Sequence, residues 1–322
     1  MRPSLEKRLT YRYLDLRDGR VAFIFKLKSE VAYLLREYFR ANDFIEVHTP
    51  KIVEEGAEGG ATLFLVEYFA EDAFLAQSPQ FYKQMLMCSG LERVYEIAPA
   101  FRAERHSTPR HLNEFISVDA EMAFIKDEED VMNFQEDLIA FLYEKIKPFF
   151  EKNELPPPPK PSKPFPRLTM DDAYSILREE GIEVEWGEDI PYTGLKKLSE
   201  LYAEKGYTYF FLTKFPREIR PAYLMPDPDD PRVTRSFDLI SNGLEISSGG
   251  QRIHEYEMLV KEYKRRGVPI SRYSFYLEAF KYGMPPHGGF GMGLERLIMS
   301  ILKLENIREA MLFPRDRKRL YP

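Results

Sequence analysis

The chain has 322 residues, 44% of them hydrophobic and 30% charged, and a formal net charge of −6 at pH 7. That length supports a large buried core in one big domain or two moderate ones, and the acidic balance argues against a protein that coats nucleic acid through non-specific charge. No run of about 18 apolar residues is present and the start, MRPSLEKRL, is too charged for a secretory leader, so neither a membrane span nor export is expected and the cytoplasm is the expected compartment.

Positions Phe23, Leu27, Val31, Leu34, Leu35 and Tyr38 recur at helical spacing and predict an amphipathic helix from Phe23 to Phe39, ending near Asn42 and Asp43. Phe44 to Val47 then alternates as a strand does, and Pro50, which has no amide hydrogen to give a sheet, stops the pairing. The string EEGAEGG from Glu54 to Gly60 combines glycine freedom with acidic side chains and predicts a mobile loop able to close over a ligand. Strands follow at Phe64–Phe69 and Tyr95–Arg102, with a helix from Pro79 to Cys88 between them that carries its proline in the first turn. Cys88, the single cysteine, excludes an intrachain disulfide and a cysteine-cluster zinc site; its apolar setting MLMCSG predicts a buried thiol.

Glu114 to Phe124 reads as a strand, and Glu128 to Phe149 as a second amphipathic helix with Val131, Phe134, Leu138, Phe141, Leu142 and Ile146 on one side. The stretch PPPPKPSKPFP, Pro156 to Pro166, is a stiff connector leading into a smaller helical and mixed lobe, so that about 150–225 reads as an insertion on a continuing sheet. Strands resume at Arg235–Ile240 and Gly243–Ser247, and HGGFGMGLERLIM supplies a turn, a strand and a helix. Strands before and after a helical interlude, with hairpin-like connections, predict the α+β class: an antiparallel β-sheet flanked by helices. GxxxxGK[ST] is absent and GGFGMG lacks the rest of a dinucleotide unit, which disfavours both parallel-sheet nucleotide folds. The tail FPRDRKRLYP gathers Arg315, Arg317, Lys318 and Arg319, either a patch for a polyanion or a solvated surface segment.

Chemistry concentrates in FRAERHSTPRHLNEF, Phe101 to Phe115. Arg102 and Arg110 offer planar forks for phosphate oxygens, Glu104 an acceptor for an exocyclic amine, and Phe115 a flat face for a base. Together they point to a nucleoside triphosphate, ATP.

Three strings, in this order, resemble the signatures of class II aminoacyl-tRNA synthetases: the helix, strand and proline segment ending FIEVHTP; FRAE with RHLNEF; and GMGLERL. The resemblance spans about Leu9 to Pro322 and implies a single class II catalytic domain over 1–322. Within that class EGG, SPQFYK, RHLNEF, SVDAEM, EISSGGQR and GMPPHGGFGMGLERL are similar to the aspartyl branch, subclass IIb, in its archaeal and eukaryotic form. It implies ATP-dependent activation of L-aspartate to aspartyl-adenylate with release of pyrophosphate, followed by transfer to the 3′ end of tRNA.

The same resemblance assigns roles. Arg102 holds the α-phosphate, Glu104 and Phe115 hold adenine, and Arg296 covers its other face and reaches the γ-phosphate. Arg110 and His111 meet the terminal phosphates, His106 being a weaker candidate, while Gly291 and Gly293 let the nucleotide approach the backbone. Asp238, Glu245 and Ser248 form the oxygen set for Mg2+. Arg252 and Lys83 grip the side-chain carboxylate of aspartate, Asp119 holds Lys83, and Glu58 with Gln80 receive the ammonium group. A two-fold interface along the first signature implies a homodimer, with Phe25, Leu34 and Phe39 as its apolar surface. The amino-terminal OB barrel with which aspartyl enzymes read the anticodon has no room before Leu9, so only acceptor-end contacts with tRNA are expected. Synthesis of asparagine from aspartate and ammonia, an asparaginyl-tRNA synthetase-like activity, and a non-catalytic nucleotide-binding role remain open as alternatives.

Overall fold

The computed structural model describes residues 3–56, 63–105 and 108–322; Glu58 and His106 lie outside the described residues. Its strands are β1 Ile45–Glu46, β2 Ile52–Val53, β3 Leu65–Tyr68, β4 Glu71–Leu75, β5 Arg93–Phe101, β6 Glu114–Ala123, β7 Arg167–Thr169, β8 Tyr209–Thr213, β9 Ser236–Ser241, β10 Leu244–Gln251 and β11 His287–Gly293. Eight of them form one sheet in the order β1-β5-β6-β11-β10-β9-β8-β7, while β2, β4 and β3 form a small second sheet. In the large sheet only the outermost pairs, β1 with β5 and β7 with β8, are parallel. The interior pairs are antiparallel, as the hairpin-like connections imply.

Two long helices, Gly19–Ala41 and Glu128–Lys152, supply much of the main core. Asp18 and Asp127 accept from the amides of Arg20 and Glu129, satisfying donors that a helix start leaves unpaired. Leu27, Val31 and Leu35 on the first helix and Val131, Leu138, Leu142 and Ile146 on the second are wholly buried. This burial corrects one expectation: Leu34 and Phe39 belong to the core rather than to a surface. Phe25 packs against that core while partly buried.

Strand periodicity then separates core from cavity. On β6, Val118, Ala120 and Met122 enter the main core, so Phe115, Ser117, Asp119 and Glu121 emerge on the opposite face. β11 repeats the pattern with Phe290 and Met292 in the core and Gly289, Gly291 and Gly293 alternating with them. Gly289 has no space for a side chain, since a Cβ there lies 2.0 Å from the Ala120 carbonyl oxygen and 2.3 Å from Glu121 Oε2.

Beyond the connector, β7 and β8 join the same sheet, and the helices Met170–Glu179 and Tyr192–Glu204 pack over them on a cluster of their own around Ala173, Leu177, Leu198 and Phe210. A further cluster around Phe81, Leu259 and Tyr276 backs the helices Gln80–Met85, Tyr256–Arg265 and Ser274–Ala279. Cys88 is half-buried rather than buried, its thiol donating to the Met85 carbonyl at 3.1 Å. No helix among the described residues is long and apolar enough to cross a membrane.

The basic tail is stitched to the Phe101–Phe115 segment. Asn113 donates its amide to Arg315 O at 2.8 Å, Arg317 Nη1 donates to Arg105 O at 3.0 Å, and Arg319 pairs with Glu6. Three of its four cations thus have intramolecular work in bracing the chain, by backbone or side chain.

Candidate active site

A cavity of about 350 Å³ opens on the face of β6, β10 and β11 that carries the alternating polar and glycine positions. It gathers Arg102, Glu104, Arg110, His111, Phe115, Arg296, Gly291 and Gly293 with Gln80, Asp119, Arg252, Glu245 and Ser248, residues up to 216 positions apart in the chain (296 − 80). Lys83 and Asp238 are not among the lining residues; both are buried just behind it.

One end of the cavity is built on the loop after β5. Arg102 donates its amide to Asn113 O at 2.9 Å, and Asn113 Nδ2 returns bonds to Arg102 O at 2.7 Å and Glu104 O at 3.2 Å. Asn113, which the sequence reading passes over, therefore fixes the backbone of both Arg102 and Glu104. The Arg102 guanidinium lies 5.4 Å from the Phe115 ring centre, and its Nε is buried with no hydrogen-bond partner among the described residues. Arg102 lines the cavity, and a guanidinium there suits an anionic guest.

Arg110, which lines the cavity, lies over the Tyr192 ring at 3.7 Å, at the start of the helix Tyr192–Glu204. His111 shares a 2.6 Å hydrogen bond with Thr108 Oγ1, and burial, then the charge of Arg296, depresses its pKa. Arg296 Nη1 donates to Glu245 O at 2.8 Å and stands 3.6 Å from the Glu245 carboxylate. A Cβ on Gly291 falls 3.1 Å from Asp119 Oδ1, a tight fit, whereas one on Gly293 meets only Arg296 side-chain atoms at 3.6 Å or more.

Asp238 and Ser248 face each other directly across β9 and β10, and a bulge between Glu245 and Ser247 turns Glu245 toward the cavity. Arg220, a residue with no sequence signal, pairs with Asp238 and donates from Nη1 to Ser248 Oγ at 3.4 Å. Burial raises the Asp238 pKa, with Glu245 adding to it against the pull of Arg220. For Glu245, burial pushes the pKa up but Arg296, Arg220 and Arg102 outweigh it and hold it low. Among the described residues no three His, Cys, Asp or Glu side chains converge as a closed metal cage. Two carboxylates and a hydroxyl, with a guanidinium already standing as a cation on two of them, are hard oxygen donors that fit an ion such as Mg2+.

The opposite end is a buried charge cluster. Lys83 Nζ reaches Asp119 Oδ1 at 3.1 Å, Phe290 O at 3.2 Å and Glu121 Oε2 at 3.4 Å. Arg252 Nε donates to Glu121 Oε1 at 2.9 Å and Nη2 to Oε2 at 3.3 Å, with its guanidinium 5.4 Å from the Tyr223 ring centre. Ser117 Oγ donates to Asp119 Oδ2 at 2.5 Å. Burial raises the Glu121 pKa, but Arg252 and Lys83 more than reverse this, so it stays ionised between them. Glu121 is the main omission of the sequence reading. It stands two residues after Asp119 on one strand face, and that period-two spacing is the signal that could have found it.

Residues 4–317 match the family described as tRNA synthetases class II (D, K and N). The chain is 52% identical to an aspartate–tRNA(Asp/Asn) ligase of Methanopyrus kandleri, covering 99% of this chain and 73% of that protein. It is 50% identical to an aspartate–tRNA(Asp) ligase of Pyrococcus furiosus, covering 100% of this chain and 74% of that one. Among solved structures, asparaginyl-tRNA synthetase from Pyrococcus horikoshii complexed with asparaginyl-adenylate superimposes with a TM-score of 0.91 at 36% identity, over 99% of this chain and 74% of that one. With the cavity, its charge cluster and these likenesses together, the chain belongs to the class II tRNA synthetases of the D, K and N group.

Proposed function

We propose that this protein activates L-aspartate with ATP, releasing pyrophosphate, and transfers the aspartyl group to the 3′ end of tRNA. The observation that carries the reading is the meeting of Lys83 and Arg252 on Glu121 at one end of a cavity whose other end presents Arg102, Glu104, Arg110, His111, Phe115 and Arg296. One end suits a carboxylate side chain, the other a nucleoside triphosphate. Relatives about half identical to the chain carry the name of aspartate–tRNA ligases, which supports the same substrate.

In this reading Arg252 and Lys83 receive the β-carboxylate of aspartate, Asp119 keeps Lys83 in place, and Gln80 with Glu58 takes the ammonium group. A neutral amide has one acceptor oxygen where the carboxylate has two, so it cannot accept from Arg252 and Lys83 together, which disfavours asparagine. Phe115 and Arg296 enclose adenine, Glu104 accepts from its amine, and Arg110 with His111 meets the terminal phosphates, Arg110 leaving Tyr192 to do so. Gly291 and Gly293 keep side chains out of the nucleotide's path. An α-carboxylate oxygen of aspartate attacks the α-phosphorus, the bond to pyrophosphate breaks, and Arg102 neutralises charge gathering on the phosphoryl oxygens. Asp238, Glu245 and Ser248 hold Mg2+, which when bound neutralises phosphate charge. The amino acid supplies the attacking atom, so no protein nucleophile is required. A terminal ribose hydroxyl of tRNA then attacks the activated carbonyl and AMP leaves. The assembly is a homodimer, supported by the exposure of Tyr33 (62%) on the helix Gly19–Ala41 and of Ile45 (46%) on the edge strand β1.

ATP–pyrophosphate exchange tests the reading. Aspartate drives the exchange, asparagine does so far less well, and Lys83→Leu lowers the aspartate-dependent rate by about 100-fold. Exchange favouring asparagine, or ATP binding with no exchange under either amino acid, refutes it.

A further inference from the structure

Behind the cavity, four buried side chains form a hydrogen-bonded line that ends on Gln80. His287 opens β11, Gln84 lies one turn after Gln80 on the helix Gln80–Met85, and Tyr276 comes from the helix Ser274–Ala279. His287, Gln84 and Tyr276 are each 0% exposed and Gln80 is 3% exposed, so water cannot substitute for a misdirected partner.

The direction of every bond in the line follows from its far end. His287 Nδ1 lies 2.8 Å from Pro285 O, and a carbonyl oxygen only accepts, so Nδ1 carries the hydrogen. Burial lowers the His287 pKa to about 4, so the ring is neutral near pH 7 and Nε2 is a lone pair. Gln84 Nε2, 3.0 Å away, is the donor that meets it. The other end of the same amide, Gln84 Oε1, then accepts from Tyr276 OH at 3.1 Å and from Gln80 Nε2 at 2.8 Å. With its amino group committed to Gln84, Gln80 is left its carbonyl oxygen to offer to the cavity it lines.

We propose that His287 is a positioning residue for the amino-acid substrate: acting through Gln84, and with Tyr276 locking the same amide, it fixes Gln80 as an acceptor for the substrate ammonium group. This rests on the assignment of Gln80 to the ammonium group made above. A reversed Gln80 amide sets its N–H groups against an ammonium, replacing a charge-assisted hydrogen bond with repulsion. Neither His287 nor Tyr276 touches substrate in this scheme; both act at second hand.

The test compares aspartate with succinate, which keeps both carboxylates and lacks the amino group, as an inhibitor of aspartate-dependent pyrophosphate exchange. His287→Leu removes the acceptor for Gln84 and is expected to raise KM for aspartate about tenfold. KM for ATP, kcat and the inhibition constant of succinate stay within about twofold of the parent values, a margin of roughly 0.4 kcal/mol. His287→Gln keeps an acceptor and restores most of the aspartate affinity. Tyr276→Phe retains the ring, loses one donor to Gln84, and shows the same selective change at smaller amplitude if His287→Leu fails to fold. Equal weakening of aspartate and succinate, or no change in either, overturns the proposal. Gln80→Met separates the two assignments: if it leaves the aspartate-to-succinate ratio unchanged, the ammonium assignment itself is wrong. If it collapses the ratio while the His287 and Tyr276 variants preserve it, the relay alone is wrong.

Discussion

Glu121 holds two cations, Lys83 and Arg252, in a part of the protein where none of the three side chains is more than 4% exposed. Replacing it by glutamine keeps the volume and removes the charge, leaving Lys83 with Asp119 and Arg252 without its carboxylate. Breaking a buried ion network from one side destabilises by about 3–5 kcal/mol, because the surviving charge stays desolvated. Glu121→Gln is therefore expected to lower the urea-unfolding free energy by about 3 kcal/mol, and adding Lys83→Met is expected to recover part of the loss. Additive losses in the double variant would show that the two side chains are not coupled. Lys83, Asp119 and Arg252 were legible because each sits inside a family-like string. Arg220, which lies in no such string, was not, and Asn113 was passed over although it stands in RHLNEF, since their work depends on partners 18 and 9–11 residues away that only the folded chain brings close.

Among elements, the helix Tyr256–Arg265 shows how one carboxylate anchors a segment near the cavity. Glu262 is 2% exposed and accepts from Arg265 at 2.9 Å and Arg266 at 2.7 Å, and it pairs with Arg217. Arg266 Nη2 also donates to Arg217 O at 2.8 Å, so the helix grips the stretch leading to Arg220. Burial alone pushes the Glu262 pKa up, but the three arginines bring it down to about 2. A folded-state pKa below the unfolded one gives stability that is present above about pH 4.5 and is lost as the pH falls toward 2; the shift corresponds to up to about 3 kcal/mol. Melting temperatures of the parent and of Glu262→Gln should differ at pH 7 and converge as the pH drops below about 4.5. A gap that stays constant or widens on acidification rules this out.

That helix carried no prediction from the sequence, and neither did β4, β7 or β8. The long helices were legible from their apolar spacing because one face of each is wholly buried. β7 and β8 are three and five residues long, and their parallel pairing across a helical interlude leaves no local pattern. β10 runs on to Gln251 beyond the expected Ser247, and its Gly249 and Gly250 lie in a crowded sheet where a Cβ would meet Phe237 or backbone at 2.6 Å or less.

For the whole molecule the first open quantity is the number of chains. Light scattering across a range of concentrations is expected to give twice the chain mass, and replacing exposed Ile45 with lysine is expected to shift that mass toward the monomer. A mass equal to one chain at every concentration would leave Tyr33 and Ile45 as ordinary surface.

Three distant segments are joined by Glu295, which is 1% exposed. It takes Lys28 Nζ from the first long helix at 2.5 Å and the amide of Ile116 at 3.0 Å. Its chain neighbour is Arg296 and the neighbour of Ile116 is Phe115, so a single carboxylate calibrates the gap between the ring and the guanidinium proposed to enclose adenine. Shifting either side of that slot means shifting Glu295, and with it the long helix that carries Lys28.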